Sequence, residues 1–321
     1  MSHPSDPSAE PLHVLPVALI PPEALDRPQW LVEQLWAHEA VGIIGGAPKC
    51  CKTYLALEIA LAVASGRPCL GRFRVPQPGP VLLFAAEDAP LQLRARLIGL
   101  ARARGADFQS LPVFLILAQQ LRLDLQHDLA RLAQAIEKYQ PRLLILDPFV
   151  RLHRLDENSA MEVSALLADL RLLQRRFQLA VLLVHHTRKS NGEASGQTLR
   201  GSSDLHAWGD SNLYLRRSQQ QIVLTIEHRA ARAPESIALN LVGDDTPHLE
   251  IAASTSAAPT MQAVPNLHRE VLDALCRHPT PLSQPQLRRA LKVRNQALTA
   301  ALHELLAQNK ISRSDSGWTA F

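Results

Sequence analysis

The chain has 321 residues, 46% of them hydrophobic and 20% charged, with a formal net charge of +4 and a pI near 9.0. This length gives one or two domains with a sizeable buried core, and the mild basicity admits a nucleic-acid partner without requiring one. The four cysteines (Cys50, Cys51, Cys69, Cys276) lack the number and spacing of a disulfide framework or a zinc site, and no apolar run is long enough to span a membrane, so the sequence predicts a cytoplasmic protein in a reducing compartment.

Residues 1–28 hold seven prolines and no basic stretch ahead of an apolar one. They read as a disordered tail and not as a signal peptide. Residues 29–252 are predicted to form a core domain in which short apolar runs alternate with amphipathic stretches. The runs are VGII (41–44), VLLFA (81–85), VFLILA (113–118), LLIL (143–146) and AVLLV (180–184). YLALEIALAVAS ends at Gly66 and LQLRARLIGLARARG at Gly105, as helices do. Continuous apolar strands between helices predict an α/β fold with a buried, mostly parallel sheet. SNLYLRR (211–217), QIVLTIEH (221–228) and SIALNLV (236–242) read as antiparallel strands at one edge. ASTSAAPTMQAVP (253–265) has the composition of a linker. Over 266–321 three helices (LHREVLDALCRH, SQPQLRRAL with Ser283 as N-cap, VRNQALTAALHELLAQN) and a short hairpin, ISRSDSGWTA, predict a winged helix-turn-helix.

The first strand runs into GGAPKCCKT. The pattern G-x-x-x-x-G-K-[ST] fits Gly46, Ala47, Pro48, Lys49, Cys50, Cys51, Lys52 and Thr53, with Cys51 in place of the second glycine and Tyr54 opening the helix. Strand, glycine-rich turn and helix is the context of a phosphate-binding loop. Backbone N–H groups and the helix N-terminus would surround a phosphate of ATP, Lys52 would neutralise it, and the Thr53 hydroxyl would ligate Mg²⁺. A cysteine at the helix start is compatible with ordinary helical φ/ψ, so its predicted cost is crowding beside the phosphate. Its thiol is predicted to have a lowered pKa, and the thiolate would repel phosphate.

Asp147 ends LLIL as a second Mg²⁺ anchor. Glu87 and Asp88 end VLLFAAED; Glu87 is placed to orient and deprotonate a water, with an N-cap role as the plainer reading and Asp88 as the alternative cap. His185 and His186 follow AVLLV, as phosphate sensors or as a hydrogen-bonded core pair. Arg200 lies in the polar loop 190–205, as a finger toward a neighbouring subunit or as a surface arginine.

These residues in this order resemble the RecA-like ATPases related to the RepA-type hexameric plasmid helicase, a branch of the RecA/DnaB fold. The resemblance runs from about Trp30 to Leu241 through the loop, AAED (85–88), ILDPFVRLHRLDEN (145–158), VHHTRK (184–189) and RGSSDL (200–205). It implies a six-membered ring with ATP sites between subunits, Glu87 as the catalytic glutamate, Asp147 at the Mg²⁺ site, His185 or His186 as sensor and Arg200 as arginine finger. It also implies further basic fingers at Arg229 and Arg232, and contacts of Arg188 and Lys189 with single-stranded DNA in the ring channel. The C-terminal unit lies beyond the resemblance. Eight basic residues face four acidic ones over 267–321, and Arg288, Arg289, Lys292 and Arg294 cluster where a recognition helix would begin, a pattern for duplex DNA phosphates or, alternatively, the solvated turn of a protein-pairing module. The sequence therefore predicts an ATP-dependent DNA-processing motor of a plasmid or other mobile element. The alternative is a nucleotide-responsive DNA-binding regulator or assembly factor with little hydrolysis.

Overall fold

A computed structural model describes residues 14–19, 29–155, 160–186, 203–218, 221–252, 263–278, 280–291, 295–308, 310–314 and 317–320. The chain divides into two compact units, 1–252 and 253–321.

In the first unit β1 (Trp30–Val32) and β2 (Trp36–Ala37) form a small antiparallel pair. Then β3 (Val41–Gly46) leads to α1 (Lys52–Ser65), β4 (Val81–Ala85), α2 (Pro90–Arg104), β5 (Val113–Leu115) and α3 (Gln126–Tyr139). These are followed by β6 (Leu143–Asp147), α4 (Ala160–Phe177), β7 (Ala180–His186), α5 (Ser203–Trp208), β8 (Ser211–Ser218), β9 (Gln221–His228), β10 (Ile237–Val242) and β11 (His248–Ile251). The sheet has nine strands in the order β11-β10-β9-β8-β3-β7-β6-β4-β5. From β8 to β5 every pairing is parallel; β9, β10 and β11 add antiparallel strands at one edge.

The apolar runs are continuous because each central strand is covered on both faces. Successive residues alternate between two cores. Val81, Leu83, Leu143, Ile145, Leu182 and Val184 join the cluster that holds α1 and α2. Leu82, Phe84, Leu144, Leu146, Val181 and Leu183 join the cluster that holds α3 and α4. α1 is buried continuously from Leu55 to Ala64, as a helix apolar on nearly every side must be. Its one acid, Glu58, accepts hydrogen bonds from Leu70 N and Arg104 Nε, each at 2.7 Å, and Arg104 Nη2 reaches Leu249 O at 2.6 Å. That buried pair ties α1 and α2 to the edge strand β11.

The second unit consists of α6 (Ala263–Arg277), α7 (Gln284–Leu291), α8 (Asn295–Ala307) and the hairpin β12 (Ile311–Ser314) with β13 (Gly317–Ala320). Val271, Leu287, Leu298, Leu302 and Trp318 share its core. Leu282 and Trp318 exchange backbone hydrogen bonds of 3.0 and 2.9 Å. A Cβ on Gly317 would meet the Leu282 backbone at 2.7 Å, which is why a glycine opens β13.

Three expectations about elements are corrected. The strand foreseen over 113–118 stops at Leu115, because an edge strand has no second neighbour to extend along. The linker foreseen to residue 265 ends earlier, since α6 begins at Ala263. Asp88 is not the cap of α2: the N-cap is Ala89, with Pro90 at the first helical position, and Asp88 instead pairs with Arg96 at 2.7 Å. No described helix is long and apolar enough to cross a membrane.

Candidate nucleotide site

The site lies along the C-terminal ends of the parallel strands, where β3 ends level with β7 and β4 with β6. Gly46 of β3 pairs with His186 of β7, and Ala85 of β4 pairs with Asp147 of β6. In open α/β sheets ligands bind at this edge. A cavity of about 370 Å³ opens there, with Lys52, Thr53, Glu87, Asp147, His186 and Arg217 on its lining.

Gly46 must be glycine because a Cβ there would meet Leu215 O at 2.4 Å and Cys50 Sγ at 2.6 Å. Beyond it the loop folds over Lys52, which is 4% exposed and donates from Nζ to Gly46 O and Ala47 O, both at 2.9 Å. Burial holds the Lys52 ammonium below its usual pKa, while Asp147 and Glu87 pull it upward. Lys49 and Cys51 both have left-handed backbone, with φ of 63° and 67°. Cys51 is the N-cap of α1 and makes no side-chain capping hydrogen bond, so its side chain satisfies none of the helix's first N–H donors. Alternating backbone of this kind aims successive N–H groups into one concavity, a cradle for an anion. The residues present therefore fit a nucleotide phosphate.

Two expectations about the cysteines fail. Cys51 does not take ordinary helical backbone. It occupies the left-handed region, which costs an L-residue roughly 1–2 kcal/mol, so the missing glycine is felt as backbone strain. Nor are the thiols activated: burial raises the pKa of both Cys50 and Cys51 above the usual thiol value, outweighing Lys52 and Arg217. Both remain neutral and do not repel phosphate. Cys50 Sγ donates to Ala47 O at 2.8 Å. Cys51→Gly is expected to relieve the strain while adding some unfolded-chain entropy. Melting temperature should rise by about 2 °C, a net gain near 1 kcal/mol, and ATP turnover should not fall. A lower melting temperature would show that the left-handed backbone costs Cys51 nothing.

Asp147 is 7% exposed, and burial raises its carboxyl to about 6, against the hydrogen bond from the Thr53 side chain and the charge of Lys52; Asp88 and Glu87 push it further upward. A hydroxyl and a carboxylate on one cavity lining, with the loop beside them, form a donor set for Mg²⁺. Because the folded-state pKa is raised, Asp147 is neutral below about pH 6 and becomes an anionic ligand only above it. Mg²⁺-dependent nucleotide affinity should therefore fall steeply between about pH 7 and pH 5. Asp147→Asn should weaken it above about pH 6 and flatten the dependence. Titration with a fluorescent ATP analogue, with and without Mg²⁺, measures both.

The two histidines are in different places. His185 is 5% exposed behind the cavity, edge-on to Phe149 with ring centroids 6.3 Å apart, and burial lowers it to about 4. His186 lines the cavity and is lowered by burial and by Lys52. The Nδ1 atoms of both are buried without a hydrogen-bond partner among the described residues, so the hydrogen-bonded core pair is not formed. Glu87 does not cap a helix; its Oε1 accepts from Arg151 Nε at 3.1 Å.

Arg217, Arg96 and Asp88 also line the cavity, and the sequence reading did not single out the two arginines. Arg217 follows Leu215, which pairs with Gly46, so the parallel β3–β8 register was the signal that would have found it. Its charge bears on the Cys51 thiol. Arg96 lies over the Tyr54 ring, 5.1 Å from its centroid. Arg229 is engaged within its own unit, with Asp210 Oδ1 at 3.2 Å and Ala207 O at 2.6 Å, while Arg232 is exposed. Arg288 and Arg289 are exposed in the last turn of α7. Arg188, Lys189, Arg200, Lys292 and Arg294 lie outside the described residues.

A family model described as an AAA domain matches residues 5–192. No curated protein matches the chain. Among solved structures, a crystal structure of the RadB recombinase is similar, with a TM-score of 0.47 and 17% identity over 67% of this chain and 91% of that one.

Proposed function

The chain belongs to the AAA domain family, and from that premise we propose that it is an ATP-dependent DNA-processing motor with a RecA-like core, of the kind represented by RepA-type hexameric helicases. The observation that carries this reading is the convergence of Lys52, Thr53, Asp147 and Glu87 on one cavity at the C-terminal ends of β3, β6 and β4. Lys52 leaves its loop carbonyls to neutralise the phosphates. Thr53 and Asp147 would hold Mg²⁺, which would supply charge neutralisation at the phosphates. Glu87 orients the attacking water and accepts its proton. His186 reports the state of the terminal phosphate, with His185 behind it as a neutral support.

Arg200 reaches the site of a neighbouring subunit in a ring of six, and Arg232 is the freer of the two further basic positions. Arg188 and Lys189 contact single-stranded DNA in the channel. The second unit acts as a winged helix that holds duplex DNA through Arg288, Arg289, Lys292 and Arg294. Two observations favour a second reading, a nucleotide-responsive DNA-binding regulator: the strained Cys51 and the Lys52 ammonium held by its own loop both work against rapid turnover.

ATP turnover of the full chain and of residues 29–252 alone, with single-stranded and duplex DNA, tests the proposal. The motor retains single-strand stimulation without the second unit and loses duplex affinity. A regulator loses its whole response to DNA with that unit.

A further inference from the structure

Glu87 lines two cavities. One is the nucleotide cavity. The other, of about 600 Å³, is lined also by Gln119, Gln120, Arg122, Arg151 and Arg154. Three arginines there face one carboxylate of their own lining. Arg122 is neutralised by Asp124, which takes hydrogen bonds from both Nε (2.8 Å) and Nη2. Arg151 donates to Glu87, and Arg154 makes no ion pair with any described residue. Arg151 and Arg154 are exposed, three positions apart on the turn after β6.

Two guanidinium forks beside two side-chain amides are a donor set for phosphate oxygens. The 43% exposed Val150 on the same lining offers apolar surface to a base or sugar. We propose that this second cavity binds a backbone phosphate of single-stranded nucleic acid through Arg151 and Arg154. The phosphate draws Arg151 away from Glu87 and frees the carboxylate for the nucleotide cavity.

The geometry makes such an exchange easy. The Arg151 and Glu87 side chains are 62% and 48% exposed, and a solvent-exposed ion pair is weakly held. Glu87 offers Arg151 one hydrogen bond, whereas a phosphate accepts two from one guanidinium. The pair already acts across both cavities: the Glu87 charge bears on Lys52 and Asp147, and both Glu87 and Arg151 bear on His186. Nucleic acid would thus raise turnover by releasing a group, with no change in the nucleotide loop. The coupling rests on the function proposed above; the phosphate site does not.

The test uses the full chain and fluorescein-labelled oligo(dT), oligo(rU) and polyglutamate, with anisotropy read across a KCl series. Arg154→Ala is expected to weaken oligonucleotide binding about tenfold and to flatten the log–log salt slope by about one, with affinity for a fluorescent ATP analogue unchanged. Equal losses for oligo(dT) and oligo(rU) support a backbone site, and a loss for one alone assigns the site to that nucleic acid. Arg151→Ala is expected to raise turnover without DNA severalfold and to abolish further stimulation, while Arg151→Lys keeps both near wild type. Unchanged affinity and slope in the Arg154 variant would overturn the phosphate site. Arg154-dependent binding of polyglutamate but of neither oligonucleotide would overturn the nucleic-acid assignment. Lower turnover in Arg151→Ala with its stimulation ratio intact would overturn the coupling. If the wild-type chain binds no ATP analogue, the proposed function fails, yet the Arg154 salt slope still decides the site.

Discussion

Lys52→Ala is expected to bring ATP turnover to background, a loss on the order of 10²–10³ or more, since one preorganised charge aimed at the phosphates is worth about that much. Lys52 is placed for this. Its ammonium is buried beneath the loop, and its two visible acceptors, Gly46 O and Ala47 O, belong to the loop that would close on phosphate. Removing it leaves both carbonyls without that donor, so a loss of roughly 1–3 kcal/mol of stability should accompany the loss of turnover. Circular dichroism and thermal melting separate the two effects, because a folded, inactive variant answers the question. Lys52→Arg should fail as well: a planar fork cannot replace a compact ammonium between two carbonyls 2.9 Å away. Turnover within about tenfold of wild type in Lys52→Ala would remove the loop from the chemistry.

Arg200→Ala should leave nucleotide binding near wild type and lower turnover on the order of 10³-fold, the usual contribution of an arginine supplied to a transferring phosphoryl group. Acting from a neighbouring subunit, it should be complemented in mixtures. Subunits carrying Arg200→Ala have an intact Lys52, and subunits carrying Lys52→Ala have an intact Arg200, so mixed assemblies regain some complete sites. Analytical ultracentrifugation of the same samples supplies the control. Associated subunits with no recovered activity would show that Arg200 does not act in trans.

Much of the sheet was legible because its central strands are buried on both faces. Leu143–Leu146 and Ala180–Val184 are apolar at every position, and their shortness, against the longer apolar stretch of α1, marks them as strands. The ends of the sheet were less legible. β5 carries only three strand residues of a six-residue apolar run, since pairing on one side alone leaves its continuation, including the 76% exposed Leu117, unsupported. β11 alternates polar His248 and Glu250 with Leu249 and Ile251, but four residues are too short a run for the alternation to stand out.

Lys52, Thr53 and Asp147 line one cavity, and sequence could place them together because each sits at the end of a strand or the start of a helix, positions that sequence pattern fixes well. The conformation of Cys51 was misread for a physical reason. The sign of its φ is set by the closure of the loop around the Lys52 ammonium, a tertiary requirement; the glycine of the general pattern was itself the sign of a left-handed position. Arg217 and Arg151 were invisible as site residues because their places depend on strand register and on a turn, and no local motif marks either.

Strand displacement on a forked duplex tests the central claim most directly, with the wild-type chain and Lys52→Ala side by side, each with ATP, without nucleotide, and with a non-hydrolysable analogue. A DNA motor driven from the cavity at Lys52, Thr53 and Asp147 displaces the strand only with wild-type protein and hydrolysable ATP. Displacement that persists in Lys52→Ala, or wild-type ATP hydrolysis without any displacement, would contradict it.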